Sequence, residues 1–171
     1  KRKLLLSHGW ADGLIPAQST VDFYDALEKD IGSRRARDGV RLFMIPGMQH
    51  CFGGKGPDSF GQSGAPAQGQ TAERNMVLAL QQWVEGQRTA PETFVARRGH
   101  GGGFMGAGAP GPERQRLLCA WPKQAVPAEG ADPDPARHEG PLQRCDVHRP
   151  AGLDHADRPE HPDVRDVRQR A

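Results

Sequence analysis

The sequence predicts an α/β fold, a parallel sheet with flanking helices, followed by an irregular tail. Three observations carry this expectation. Two short runs, Leu4-Leu5-Leu6 and Val40-Arg41-Leu42-Phe43-Met44-Ile45, are nearly continuous in apolar residues, as strands covered on both faces must be. Apolar residues between and after these runs recur every three or four positions, the period of an amphipathic helix. The composition then changes near residue 98. Residues 1–98 hold 12 Gly and 5 Pro, whereas residues 99–171 hold 10 Gly and 10 Pro, with only 11 Ile, Leu, Val, Met, Phe, Trp or Tyr among them. So little apolar surface does not offset an ordering entropy of about 1–2 kcal/mol per residue.

The elements follow in order. Residues 4–7 read as a buried strand stopped by the turn-rich string His8-Gly9-Trp10-Ala11-Asp12-Gly13. Pro16 and Ser19-Thr20 set up a helix with Thr20 as its cap, an apolar stripe of Val21, Tyr24, Leu27 and Ile31, and Gly32 as its stop. Residues 33–39 are polar and read as a loop. Residues 40–45 form the second strand, ending in the loop Pro46-Gly47-Met48-Gln49-His50-Cys51. A Gly, Ser, Pro and Gln-rich connection spans residues 52–70. Residues 71–85 then read as a helix capped by Thr71, with Met76, Leu80, Trp83 and Val84 buried and Gly86 at its end. Strand, helix, strand, helix implies a right-handed parallel crossover.

Composition excludes several classes. No run approaches the roughly 18 apolar residues of a membrane span, and Gly and Pro interrupt every stretch that could hold coiled-coil heptads. A net charge of +2 implies neither a nucleic-acid nor a membrane partner. The arginines of the tail are interleaved with ten acidic residues after Lys123, the pattern of a solvated stretch. The three leucines after Lys1-Arg2-Lys3 are fewer than the roughly 7–15 apolar residues of a signal peptide. A chain without an initiator Met that opens almost inside a strand is expected to lack an N-terminal part.

Groups that do chemistry on such sheets sit beyond the carboxyl ends of the strands, which directs attention to the two strand-end loops. The first holds Asp12 and the second His50. In α/β-hydrolases the triad runs Ser, then Asp or Glu, then His. The carboxylate fixes the imidazole tautomer, and the other ring nitrogen takes the proton of the attacking hydroxyl. Asp12 and His50 fit the last two places. The competing readings are that Asp12 caps a turn and His50 is an incidental loop residue. A metal set of His8, Asp12, His50 and Cys51 has suitable donors, but its spacing matches no compact ligand motif. His8 reads as a packing or loop hydrogen-bonding residue, and Trp10 as a core or loop anchor rather than a substrate platform.

The strings His8-Gly9-Trp10-Ala11-Asp12-Gly13-Leu14-Ile15-Pro16 and Arg41-Leu42-Phe43-Met44-Ile45-Pro46-Gly47-Met48-Gln49-His50-Cys51 resemble the C-terminal part of the tannase and feruloyl esterase family. Gly53-Gly54-Lys55-Gly56-Pro57-Asp58-Ser59-Phe60 is similar to the glycine-rich string after the family's histidine, and Arg114-Gln115-Arg116-Leu117-Leu118-Cys119-Ala120-Trp121-Pro122 to its closing segment. The resemblance implies an exported α/β-hydrolase serine esterase that cleaves small aromatic esters such as gallates or hydroxycinnamates. Asp12 matches its triad acid and His50 its general base. Cys51 matches a cysteine disulfide-bonded to one directly before the nucleophilic serine, a partner outside this chain, while Cys119 and Cys145 resemble a terminal disulfide. The family's calcium-binding lid matches nothing here, so no cofactor is expected in this chain.

The nucleophile is the main departure. A nucleophile elbow needs Gly-x-Ser-x-Gly or a close relative; the nearest string, Gly61-Gln62-Ser63-Gly64-Ala65, follows no strand and reads as linker. Without the serine, the chain alone is expected to be inactive. The resulting division is 1–98 as the C-terminal part of an α/β-hydrolase catalytic domain, 99–126 as the closing segment, and 127–171 as an irregular tail, disordered or frame-shifted. If Cys145 belongs to a shifted frame, its pairing with Cys119 is accidental or absent. Two alternatives are a fragment of another α/β-hydrolase such as a serine peptidase, which would lack the cysteine beside the nucleophile, and a non-enzymatic module built on the Arg-rich tail, which would bind polyanions in a salt-dependent manner.

Overall fold

The structure is a computed structural model. It describes residues 2–62, 71–98, 102–103, 106–107, 115–127 and 143–147. Strand β1 (Leu4–Gly9) pairs in parallel with β2 (Val40–Ile45), in register from Leu4 opposite Val40 to Gly9 opposite Ile45. The expected strand thus runs two residues further and takes in His8 and Gly9, and residues 4–7, expected to be buried, are exposed at Leu4 and half-buried after it. Helix α1 (Ala17–Ile31) and a short helix α2 (Ser33–Gly39) connect the two strands.

Two expectations are corrected here. Helix α1 begins at Ala17 after Pro16, whose fixed φ prepares a helical start, so Thr20 lies inside the first turns and is not the cap. The buried stripe of Val21 and Tyr24, with Leu27 and Ile31 packed beside it, is as expected, and Gly32 ends the helix at φ +84°. Residues 33–39 are helical rather than a loop. Their only buried residue is Ala36, so no apolar periodicity announces them, whereas Arg and Ala are strong helix formers.

Strand β2 is covered on both faces because its alternate side chains enter two cores. Val40, Leu42 and Met44 join Ala17, Val21 and Tyr24 of α1. Phe43 and Ile45 point the other way, into a core with Met48, Phe60, Met76, Phe94 and Leu118. There Phe43 meets Phe94 edge-on at 4.7 Å between ring centroids, an arrangement that aromatic quadrupoles favour.

Helix α3 (Met76–Val84) supplies part of this second core, but it is shorter than the expected 71–85. A 3-10 turn (Ala72–Arg74) comes first, and Asn75, not Thr71, caps α3 by accepting the Leu78 N–H at 3.0 Å. The buried positions are Met76, Ala79 and Trp83. Val84, expected inside, is 60% exposed, since its angular position lies at the edge of the stripe.

Beyond α3, β3 (Thr93–Arg97) pairs antiparallel with β6 (Gln115–Cys119), β4 (Gly102–Gly103) with β5 (Gly106–Ala107), and β7 (Lys123–Pro127) with β8 (Gln143–Val147). A bridge between Phe43 and Ala120, and Trp121 N–H donating to Leu42 O at 2.8 Å, fasten this segment to β2. Residues 127–171 were expected to be irregular, yet Pro127 closes β7 and residues 143–147 form β8. Cys145 on β8 is disulfide-bonded to Cys119 on β6. The covalent tie supplies order that the sparse apolar content does not. The remainder of that tail, and Ser63-Gly64-Ala65, lie outside the described residues.

Candidate active site

The loops after β1 and β2 are laced together before any functional side chain is considered. Trp10 N–H donates to Ile45 O at 2.9 Å and Ala11 N–H to Met48 O at 3.0 Å, which carries the parallel pairing past the strand ends. Gly9 makes this approach possible. A Cβ there would lie 2.2 Å from Met48 O, so no larger residue fits without moving backbone.

Asp12 is therefore set on a loop whose position is fixed by β2, and its two carboxylate oxygens do different work. Oδ1 accepts the Leu14 and Ile15 backbone N–H groups at 2.8 and 3.0 Å, closing a turn around the side chain. Oδ2 accepts from His50 Nδ1 at 2.8 Å and from His8 Nε2 at 3.0 Å. The Asp12 side chain is 2% exposed and that of His50 42%. Burial alone would raise the Asp12 pKa. The Ile15 and Leu14 N–H groups and the His50 and His8 imidazoles outweigh it, holding the carboxyl well below the usual carboxylate range. An ionised carboxylate is an acceptor only, so His50 carries its proton on Nδ1 and leaves Nε2 as the basic nitrogen. That nitrogen has no hydrogen-bond partner among the described residues.

His50 is held from behind by a buried polar loop. Phe52 N–H donates to His50 O at 2.8 Å, and Cys51 takes φ +65°, a left-handed conformation uncommon for a non-glycine residue. The Gln62 amide donates to Cys51 O at 3.2 Å and to Asp58 O at 2.5 Å, while its oxygen accepts the Phe60 N–H. Asp58 in turn accepts the Gly53 N–H at 2.6 Å. Gly61 and Gln62, expected as linker, are thus packed structure: Gln62 is 6% exposed, and a Cβ at Gly61 would sit 2.7 Å from Asn75 Cα. Asp58, Ser59 and Gln62 are buried as whole residues, backbone included, and nothing in the periodicity of a Gly-rich string marks them.

The structure brings Asp12 and His50 together and adds His8, expected as a packing or loop hydrogen-bonding residue, through its bond to Asp12. Cys51 is a free, exposed cysteine beside His50, and Cys119 and Cys145 are paired with each other. Trp10 is 40% exposed and lies 6.2 Å from Trp121 between ring centroids, an anchor between the loop and the closing segment. Among the described residues no group of three His, Cys, Asp or Glu side chains could hold a metal ion. The ring nitrogens of His8 and His50 that face Asp12 are spent on hydrogen bonds to one oxygen. No helix of the described residues is long and apolar enough to cross a membrane.

The arrangement of a strand-end carboxylate and a strand-end imidazole coincides with a family match. The family described as Tannase and feruloyl esterase matches residues 1–138. The chain belongs to the tannase and feruloyl esterase family. The match extends past Val126, where the sequence resemblance was expected to end. A probable feruloyl esterase B-2 of Aspergillus flavus is 37% identical over 101 residues, covering 56% of this chain and 19% of that protein. The mono(2-hydroxyethyl) terephthalate hydrolase of Piscinibacter sakaiensis is 35% identical over 123 residues, covering 72% of this chain and 17% of its own length. Among solved structures, feruloyl esterase B from Aspergillus oryzae superposes with a TM-score of 0.65 at 25% identity, covering 84% of this chain and 26% of that one. The chain thus spans about a fifth of the curated relatives it matches.

Proposed function

We propose that this chain carries the acid and base of a Ser-His-Asp carboxylic ester hydrolase of the α/β-hydrolase type, acting on small aromatic esters of the hydroxycinnamate or gallate kind. The observation that carries this reading is the Asp12 Oδ2 to His50 Nδ1 hydrogen bond of 2.8 Å, made by a buried carboxylate to a part-exposed imidazole at the ends of parallel strands. The names of its relatives, a feruloyl esterase and a terephthalate monoester hydrolase, support an aromatic ester as substrate.

In the mechanism, His50 Nε2 takes the proton of a serine hydroxyl as its oxygen attacks the ester carbonyl, and returns it to the leaving alkoxide. Water then repeats the cycle on the acyl-enzyme. Asp12 keeps Nδ1 protonated and stabilises the imidazolium. The serine belongs to residues outside this chain, so the chain alone does not turn over. Cys51, next to the base, would be disulfide-bonded to a cysteine preceding that serine, and the parent enzyme would be exported.

The test is to assay the parent enzyme on methyl ferulate and treat it with a fluorophosphonate probe. Labelling of one serine outside residues 1–171, with labelling and turnover both abolished by His50→Ala, is expected. Undiminished labelling of the His50→Ala protein would overturn the reading.

A further inference from the structure

Asp12 receives two imidazoles, and the mechanism above uses one. The second, His8, lies on β1 opposite Met44 with a side chain 12% exposed. Its Nε2 stands 3.0 Å from Asp12 Oδ2, the oxygen that also binds His50. Its Nδ1 stands 2.6 Å from Thr20 Oγ1 in α1. Because an ionised Oδ2 only accepts, His8 must present an N–H from Nε2, and a neutral ring then takes the Thr20 hydroxyl proton at Nδ1. The result is a hydrogen-bonded line from helix α1, through β1, to the carboxylate.

We infer that His8, fixed by Thr20, is a positioning residue that holds Asp12 in the rotamer that meets His50. The inference depends on the esterase reading of Asp12 and His50. The turn N–H groups of Leu14 and Ile15 hold Oδ1 alone, and a carboxylate pinned at one oxygen can still rock about its Cβ–Cγ bond. His8 pins the other oxygen, the one that His50 also meets. The titratable groups that meet Asp12 are His8 from β1 and His50 from the β2 loop; α1 contributes only the uncharged Thr20 hydroxyl. A residue that merely filled space would need neither hydrogen bond.

The experiment measures kcat and KM of the parent enzyme on methyl ferulate for His8→Leu, His8→Gln, Thr20→Val, Thr20→Ser and His50→Ala. His8→Leu is expected to lower kcat by about 10–100-fold with KM within about twofold, the cost of a small misplacement of a catalytic group. His8→Gln places an amide N–H near the position of Nε2 and is expected to recover most of that loss. Thr20→Val is nearly isosteric and should lower kcat by about 3–10-fold, with Thr20→Ser restoring it, so this pair decides the matter even if His8→Leu does not fold. Low-field proton NMR gives an independent signature: the His50 Nδ1–H resonance should broaden or move in Thr20→Val. Equal kcat for His8→Leu, His8→Gln and wild type, or Thr20→Val and Thr20→Ser both at wild-type kcat, would overturn the inference. If His50→Ala abolishes activity in that same set, the esterase reading stands and only the role of His8 fails; if His50→Ala stays active, both fall.

Discussion

Asp12 meets His50 with the one carboxylate oxygen that its own turn leaves free. Oδ1 is taken by the Leu14 and Ile15 N–H groups, and Oδ2 accepts the His50 Nδ1–H at 2.8 Å. The two readings that the sequence sets against each other, a turn cap and a partner for an imidazole, are thus both true of one residue. The turn fixes the carboxylate, and the fixed carboxylate orients the His50 imidazole.

The depressed pKa of Asp12 has a consequence for stability. The folded protein binds this proton less readily than the unfolded chain, whose carboxyl titrates near 3.8. The stabilisation is complete above that value and is lost as pH falls below it. Urea unfolding from about pH 5 down to about pH 2 should therefore show a steeper loss of stability in the wild type than in Asp12→Asn. Parallel curves would mean that Asp12 titrates in the folded state as it does in the unfolded one.

Gly9 permits the close passage of the two loops. Gly9→Ala places a methyl group 2.2 Å from Met48 O and should cost about 3 kcal/mol, by the overpacking mechanism. A denaturant titration showing a change below about 0.5 kcal/mol would indicate that the loops separate freely.

Cys145→Ser opens the link between β6 and β8 across a sequence separation of 26. The expected loss is about 3 kcal/mol. Limited proteolysis should then cut β8 before β2, because β2 is buried between two cores whereas β8, among the described residues, has its strand ladder with β7 alone. Simultaneous cleavage of both would show that the disulfide holds the whole fold and not its last hairpin.

Peptide mapping of the parent enzyme without reduction should recover Cys51 joined to a peptide that also holds the fluorophosphonate-labelled serine. Recovery of Cys51 as a free thiol would remove the covalent tie proposed between base and nucleophile.

The sequence discloses those parts of the fold that rest on pattern. The run at 40–45 is a strand because both its faces are buried, and the stripe from Val21 to Ile31 is a helix face because one side of it is. Asp12 and His50 were legible because strand-end loops are where an α/β sheet exposes side chains. What pattern does not reveal is whatever is held by polar contacts or covalent bonds. Helix α2 buries only Ala36, Gln62 braces the Cys51 carbonyl from inside a Gly-rich string, and β8 is tied in through Cys145. His8 belongs to the same group. Its role depends on Thr20, twelve residues away, and on a helix that starts three residues before Thr20 at Ala17, a boundary that the Ser19-Thr20 pair obscures.

The central claim is that Asp12 serves His50 in catalysis, and kcat of the Asp12→Asn parent enzyme on methyl ferulate tests it most directly. The amide keeps the size of the side chain but replaces one acceptor oxygen with a donating NH2, so with its oxygen held by the turn it favours the wrong imidazole tautomer. A fall in kcat of about four decades with KM little changed is predicted. A kcat within about tenfold of wild type would contradict the account, because a carboxylate that only closes its turn has no such effect on rate.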